Sequence, residues 1–411
     1  MRILFIIPYV PNLIRVRPYN LIRGLSARGH QISLLTLWTS EQERNSFTRE
    51  QGGCDELHAY RLSRWRSLYN CLTALPTKQP LQAWYCWHPG LADEVAALAR
   101  GSEVDGPFDV IHVEHLRGVK YALHLLARWE NDRQLAEFHP PVVWDSVDSI
   151  SLLFRQSSAQ SKKRLYRWLA QFELKRTERF EKSLLDKFAR ILVTSEKDKE
   201  AFLSGSNTES FSSLLTVLPN GVDLEYFHPD RTVQRAEESI VVSGKMSYHA
   251  NVTMVMHFFE NIMPIVWSRR PQAKLWIVGK DPRSDILALR HHPNVTVTGT
   301  VDDIRPYIQQ ADVAVAPLVY GAGIQNKVLE SMACGTPVVA TPQAVSALQA
   351  VPDRDLLIAQ EPNEFAFKVL NLLEDSQKRN IIGEAGRCYV ERYHDWHKIA
   401  IQLEEVYDAV I

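Results

Sequence analysis

Only five of the 411 residues are cysteines (Cys54, Cys71, Cys86, Cys334 and Cys388), and no two form a Cys-x-x-Cys pair. That scatter excludes a disulfide framework and a cysteine zinc site, suits a reducing compartment, and leaves all five expected as packing residues. Charge of one sign is also lacking: 47 basic and 48 acidic side chains leave a formal net charge of -1. Nothing in that balance calls for nucleic acid as a partner, so any anion must be held by a local patch. No run of about 18 apolar residues occurs, so no segment reads as a membrane span. The apolar stretch Ile3–Ile7 ends at Pro8, too short for a signal-peptide core, and reads as a buried strand. The expected location is the cytoplasm, and membrane contact, if any, would be peripheral and at the inner face. The turn Ile7-Pro8-Tyr9-Val10-Pro11 carries no GxGxxG, which disfavours a dinucleotide-dependent oxidoreductase.

What is present is ordinary globular material, 45% hydrophobic and 23% charged, long enough for two cores. Short β-rich apolar runs alternate with longer helical stretches, the pattern of parallel sheets wrapped by helices. In the first half the expected strands are Ile3–Ile7, Gln31–Leu37, Val110–Val113, Val142–Trp144 and Ile191–Thr194. In the second they are Ser239–Ser243, Lys274–Val278, Val295–Thr298, Val313–Ala316 and Pro337–Ala340. The fold class is therefore α/β, with two doubly wound, Rossmann-like domains facing each other across a cleft, where ligands bind beyond the strand carboxyl ends. The breakers in Leu218-Pro219-Asn220-Gly221-Val222-Asp223 put the boundary there, giving domains 1–222 and 223–394. Residues 54–90, rich in Trp, Tyr, Arg and Pro, read as a loop-and-short-helix insertion, either cover for the sheet or an acceptor-facing segment. Residues 161–190 read as one long amphipathic helix. Its basic face, with Lys162, Lys163, Lys175 and Arg179 among its cations, either rests on anionic lipid or is a solvated outer face interrupted by Glu173, Glu178 and Glu181, with Leu165, Trp168, Leu169 and Phe172 as a buried stripe.

The segment Ala314–Thr341, AVAPLVYGAGIQNKVLESMACGTPVVAT, reads as strand, glycine loop, helix, stop and strand. Gly321 and Gly323 allow close backbone approach, and the following helix offers free N–H groups and its positive dipole end to phosphate. Lys327 adds a point charge, and Glu330, one turn on, can accept hydrogen bonds from a ribose diol. A glycine loop before a helix is also a common structural turn.

This stretch resembles the donor-binding segment of retaining GT-B glycosyltransferases of family 4. Leu218–Pro229 (LPNGVDLEYFHP) is similar to that family's interdomain segment, Val241–Lys245 with Asn251 resembles its phosphate loop, and Tyr393–Ile411, with Trp396 and Tyr407, looks like its final helix, which crosses back onto the first domain. The resemblance implies that Glu330 binds ribose, that Lys245 and Lys327 face the diphosphate, that the backbone at Gly323 and Ile324 approaches the donor, and that Thr298-Gly299-Thr300 frames the base. It also implies transfer with retention from a nucleotide-diphosphate sugar, UDP favoured over GDP, to a glycan, lipid-linked glycan or small-molecule acceptor. No other cofactor is expected. No metal is expected either, since no Asp-x-Asp of the metal-dependent kind lies between apolar strands and cations can neutralise the diphosphate. One departure stands out: the family's E-x7-E pattern needs an acid at Ala322, leaving Gln325 or Asn326 as substitutes and the sugar open. The Gly-Ile-Gln-Asn-Lys variant resembles a branch associated with bacterial surface polysaccharides.

In the first domain, Asp109–His115 is a strand running into a loop, with His115 past its end beside Glu114. The resemblance puts Glu114 or His115 near the reacting centre. Arg15 and Arg17, after the first strand, suit phosphate or carboxylate, as partners of the donor diphosphate or an acidic acceptor, or else are solvated loop residues. Asp145 and Asp148 are acceptor candidates or caps of the next helix. Trp84 and Tyr85 are candidates for stacking on sugar rings or for resting near a lipid carrier. Two other readings stay open: a non-catalytic nucleotide-sugar-binding homologue, and an epimerase or phosphorylase of similar architecture.

Overall fold

The computed structural model describes residues 1–12, 15–45, 47, 53–100, 106–131, 139–160, 164–204, 208–230, 232–321 and 323–411. The chain divides into two compact units, Met1–Pro219 with Trp396–Ile411, and Asn220–Asp395. The division falls at the proline of the Pro-Asn-Gly segment, three residues ahead of the expected boundary.

Unit 1 is a parallel sheet of β1 (Arg2–Ile7), β2 (Gln31–Trp38), β3 (Glu56–Arg61), β4 (Val110–Glu114), β5 (Val142–Val147), β6 (Arg190–Val193) and β7 (Leu215–Val217). Their order is β3-β2-β1-β4-β5-β6-β7. Ile3 to Ile7 are all fully buried because both sheet faces are covered. The period of two sorts them into separate cores. Ile3, Phe5 and Ile7 pack with Leu21 and Ile22 of helix Val16–Ala27 and with Leu403 of helix Trp396–Asp408, whereas Leu4 and Ile6 face Leu116 and Val119 of helix His115–Asn131. The carboxyl-terminal helix is pinned by Glu404, which accepts from Arg28 Nε (2.6 Å) and sits 3.0 Å from His30 Nε2.

Unit 2 repeats the scheme with β8 (Ser239–Ser243), β9 (Lys274–Val278), β10 (Val295–Gly299), β11 (Val313–Ala316), β12 (Val338–Ala340) and β13 (Leu357–Ile358), in the order β10-β9-β8-β11-β12-β13. Every pairing in both sheets is parallel. Near the two chain crossings, Val222 N donates to His394 O (2.7 Å) and His394 Nδ1 lies 2.7 Å from Asn220 O.

The structure corrects four expectations. Residues 54–90 contain β3, whose sequence ELHAYR hides its strand character because an edge strand needs no apolar run. The expected long helix is Arg164–Ser183, preceded by Ile150–Gln160; Lys162 and Lys163 lie outside the described residues. Within it Trp168 and Leu169 are exposed, and Glu173 and Glu181 are buried, capping the N–H groups of Leu81 and of Ile150 and Ser151. Cys388 is exposed. Among the described residues no helix is long and apolar enough to cross a membrane.

Candidate active site

In a doubly wound sheet the crevice opens where the strand order reverses, between the first and fourth strands. In unit 2 that place lies beyond β8 and β11. Gly244 follows β8 at φ 147°, and an ideal Cβ there would lie 2.8 Å from Asn251 Nδ2 and 3.6 Å from Lys327 Cε. Gly279, after β9, is tighter still: its Cβ would fall 1.8 Å from Gly244 O. Only glycine lets these two loops meet.

Asn251, on helix His249–His257, holds the loop and the lysine together. Its Nδ2 donates to Lys245 O (3.0 Å) and its Oδ1 accepts from Lys327 Nζ (2.6 Å). Lys327 and Glu330 both rise from helix Asn326–Ala333, three residues apart and half-buried. Burial lowers the Lys327 ammonium to about 8 against the pull of Glu330, and burial raises the Glu330 carboxyl to about 7 against that of Lys327. Gln325, the residue before the helix, makes no side-chain cap, and Asn326 Oδ1 is buried with no hydrogen-bond partner among the described residues. The loop ahead of the helix is braced from β12: Thr341 Oγ1 donates to Leu318 O (2.8 Å) and Gln343 Nε2 to Gly321 O. Gly323 has φ 73°, Ile324 is buried, and Ala322 lies outside the described residues. Lys245 is about half exposed, 3.8 Å from Asp281. Gly299 closes β10 at φ 75° with open space around its Cβ position, and Thr300 is exposed. Tyr320 was not singled out from sequence; its hydroxyl lies 2.9 Å from His249 Nδ1 and 3.2 Å from Thr253 Oγ1, tying the glycine loop to the helix after β8.

The matching crevice of unit 1 lies beyond β1 and β4 and gathers side chains instead. Tyr9 Oη donates to Glu114 Oε1 (2.5 Å), while Glu114 Oε2 is buried without a partner among the described residues. Burial, and then the nearby Asp145, push the Glu114 carboxyl up to about 8, so it is neutral at pH 7. His115 opens helix His115–Asn131 at φ 63°, half-buried and edge-on to Tyr9 at 6.3 Å. Burial and Arg117 hold its imidazole below the usual histidine value; its Nδ1 accepts from Arg117 N (3.2 Å), which leaves the ring proton on Nε2. Arg15 stacks on Tyr9 at 4.7 Å and pairs with Glu43 at 3.3 Å. Tyr9 was legible only in hindsight, as the residue just past the first strand's end.

Three expectations fail here. Arg17 and Asp145 are buried against each other, Arg17 Nε to Asp145 Oδ2 at 2.8 Å, with Arg17 also donating to Leu218 O (3.0 Å). Buried ion pairs of this kind latch structure, so neither side chain is presented to donor or acceptor. His112 joins the same latch, 3.7 Å from Asp145 and 2.7 Å from the Tyr407 hydroxyl. Trp84 is half-buried, with Lys120 over one face of its ring and its Nε1 donating to Gln79 Oε1 (2.7 Å), so that face is closed to a sugar; Tyr85 is exposed, under Arg117. Asp148 does not cap the next helix. It is half-buried, accepts from Thr194 Oγ1 (3.2 Å), and is raised to about 6 by burial and Asp198.

A family model described as "Glycosyltransferase Family 4" matches residues 15–226, just over half of the chain. The chain belongs to glycosyltransferase family 4. A second model, "Glycosyl transferases group 1", matches residues 237–375 of this family 4 chain. Among curated relatives, one subunit of the human phosphatidylinositol N-acetylglucosaminyltransferase is 24% identical over 48% of this chain and 41% of its own length. A phosphatidyl-myo-inositol mannosyltransferase of Mycobacterium tuberculosis is 27% identical over 49% and 56%. The chain thus spans about half the length of the curated relatives it matches. Among solved structures, HepE of Anabaena in complex with UDP aligns with a TM-score of 0.69 at 16% identity, covering 100% of both chains. Sucrose-phosphate synthase of Thermosynechococcus elongatus aligns with a TM-score of 0.67 at 20% identity, over 100% and 99%. At such identities the likeness is one of fold, GT-B with two Rossmann-like units.

Proposed function

We propose that this family 4 protein transfers a sugar from a nucleotide-diphosphate donor to an acceptor with retention of anomeric configuration and without a metal. Unit 2 holds the donor and unit 1 supplies Glu114, His115, Tyr9 and Arg15 to the reaction. The observation that carries the reading is the Gly244–Asn251–Lys327–Glu330 constellation at the switch point of unit 2. There, backbone and ammonium can receive a diphosphate while a carboxylate one helical turn away receives a ribose diol. Lys327, Lys245 and the uncapped helix terminus stabilise the departing diphosphate, whose own oxygen takes the acceptor's proton. Gly299 and Thr300 frame the base, and Gln325 or Asn326 stands in for the acid that Ala322 replaces. Asp148 and Tyr85 remain the acceptor-side candidates. UDP, the nucleotide bound by HepE, is proposed as the carrier; GDP is the rival, since a Corynebacterium glutamicum relative is named a GDP-mannose-dependent mannosyltransferase.

Calorimetry with UDP and GDP, followed by turnover with UDP-glucose, UDP-N-acetylglucosamine and GDP-mannose in the presence of EDTA, tests this. Saturable binding of one nucleotide, weakened in both Lys327→Ala and Glu330→Ala, with turnover that survives EDTA and an NMR-detected product of unchanged anomeric configuration, is expected. Binding without hydrolysis or transfer of any donor would instead support the non-catalytic reading.

A further inference from the structure

The helix Arg64–Ala74 in unit 1 is amphipathic the wrong way round. Its inner face is polar or small: Ser67, Asn70 and Ala74 are buried, and Asn70 Nδ2 donates to Trp87 O at 2.8 Å. Its outer face carries Trp65, Leu68, Tyr69, Leu72 and, one residue beyond the helix, Leu75, all between 48% and 81% exposed. These positions follow the helical period, so they form one continuous stripe.

The helix is held firmly in this orientation. Ser63 Oγ accepts from Arg66 N (3.2 Å), and at the other end the buried Arg176 donates to Ala74 O (2.7 Å), Thr77 O (2.6 Å) and Gln79 O (2.9 Å). Arg176 belongs to helix Arg164–Ser183, which exposes Trp168 and Leu169 above Lys175 and Arg179, with Trp168 stacked on Phe172 at 5.8 Å. An apolar stripe of this size on a rigidly anchored helix marks a surface that something covers.

Charge identifies the cover. Between Glu56 and Asp93 the sequence holds no acidic residue, while Arg61, Arg64, Arg66 and Lys78 flank the stripe, all exposed. A second copy of this chain would set those cations against their own images. A layer with apolar depth and anionic headgroups satisfies both features: Trp65 and Tyr69 suit the headgroup boundary, the leucines the acyl region, and the cations the phosphates. We infer that this face of unit 1 docks on an anionic lipid bilayer, lying in its interface without crossing it. The inference is independent of the donor site in unit 2 and does not rest on the transfer reaction.

The test uses the full chain and sucrose-loaded vesicles of phosphatidylcholine alone or with about 30% phosphatidylglycerol, read by co-sedimentation. Partition onto the anionic vesicles should exceed that onto the neutral ones by roughly tenfold or more, and it should fall as salt is raised. The triple variant Trp65→Ser/Leu68→Ser/Leu72→Ser should lose roughly tenfold or more of that partition. So should Arg64→Ser/Arg66→Ser, which leaves the stripe intact and serves if the triple variant fails to fold. Nucleotide binding by both variants should match that of the parent. Equal partition onto both vesicle types, no partition at all, or a folded triple variant that binds unchanged would overturn the assignment. A concentration-dependent dimer in analytical ultracentrifugation, abolished by the triple variant and accompanied by no vesicle binding, would replace it with self-association.

Discussion

The crevice beyond β1 and β4 and the crevice beyond β8 and β11 occupy the same position in two sheets of the same strand order, yet they are built of different materials. In unit 2 the loops meet backbone to backbone, Gly244 against Gly279, and the side chains beside them are the Asn251 amide, Lys327 and Glu330. In unit 1 no glycine follows β1; side chains fill the place, with Tyr9, Arg15 and His115 around the Glu114 carboxyl, whose pKa burial raises. A crevice of backbone N–H groups and cations suits a polyanion whose charge is already present. A crevice of titratable side chains suits a partner that must be oriented or exchange a proton. One topology thus yields two chemistries, and the difference lies in whether a glycine follows the first strand.

The sharpest way to break the unit 2 half of this comparison is Gly279→Ala. The new Cβ would fall 1.8 Å from the Gly244 carbonyl oxygen, backbone against backbone, at φ 146°. No rotamer relieves that, so the loops must separate; a loss of about 4 kcal/mol is expected in urea unfolding of unit 2, together with loss of nucleotide binding. The corresponding break in unit 1 is Arg17→Met, which leaves Asp145 at zero exposure without its guanidinium, with only the Val147 N–H and His112 beside it, and should cost about 3–5 kcal/mol. Arg17→Met/Asp145→Asn removes both charges and should recover most of it. If the double variant is as unstable as the single, the pair is not a latch.

How far this was legible from sequence depends on the range of the interactions. β8, β9 and β11 match their expected limits because apolar runs between breakers identify themselves locally. β3 is an edge strand with charged positions, and β7 and β13 are too short to show a period. Lys327 and Glu330 are neighbours three apart on one helix, which spacing alone gives. Arg17 with Asp145 and Tyr9 with Glu114 are separated by more than a hundred residues, so Arg17 read as a ligand for anions when it is a structural cation. Residues 54–90 show no clean period in the sequence, so neither the helix Arg64–Ala74 nor its inward face can be read there; buried hydrogen bonds from Asn70 and Arg176 set that face.

Smaller effects sharpen the comparison through charge. Lys327→Ala removes the ammonium that would meet the diphosphate, an expected loss of about 2 kcal/mol, or roughly 30-fold in nucleotide affinity by calorimetry. Folding stability should not suffer in step, because burial disfavours this ammonium in the free protein. The pH profile follows with its sign. Lys327 is protonated below about 8 and Glu330 ionised above about 7, so nucleotide affinity should peak between those values and fall on either side. Glu330→Gln should erase the acid limb and leave the alkaline one. Stability carries the opposite mark of unit 1: Glu114 keeps its proton in the folded state up to about 8, whereas an ordinary carboxyl loses it near 4.5, so its contribution to stability declines as pH rises between those values. Glu114→Gln should flatten that decline in thermal melts.

Lys245→Ala carries the smallest expected effect. Its side chain is about half exposed and 3.8 Å from Asp281, so water and salt screen its charge. An incoming diphosphate gains little from a cation already solvated and partly paired, and a loss of about 0.5–1 kcal/mol, two- to fivefold in affinity, is expected, shrinking as salt is raised. Lys327, half-buried and held by Asn251, should show a much weaker salt dependence. Should Lys245→Ala cost as much as Lys327→Ala, with the same insensitivity to salt, the loop after β8 must close over the ligand and bury this lysine, and the phosphate site would then be completed by binding instead of standing preformed.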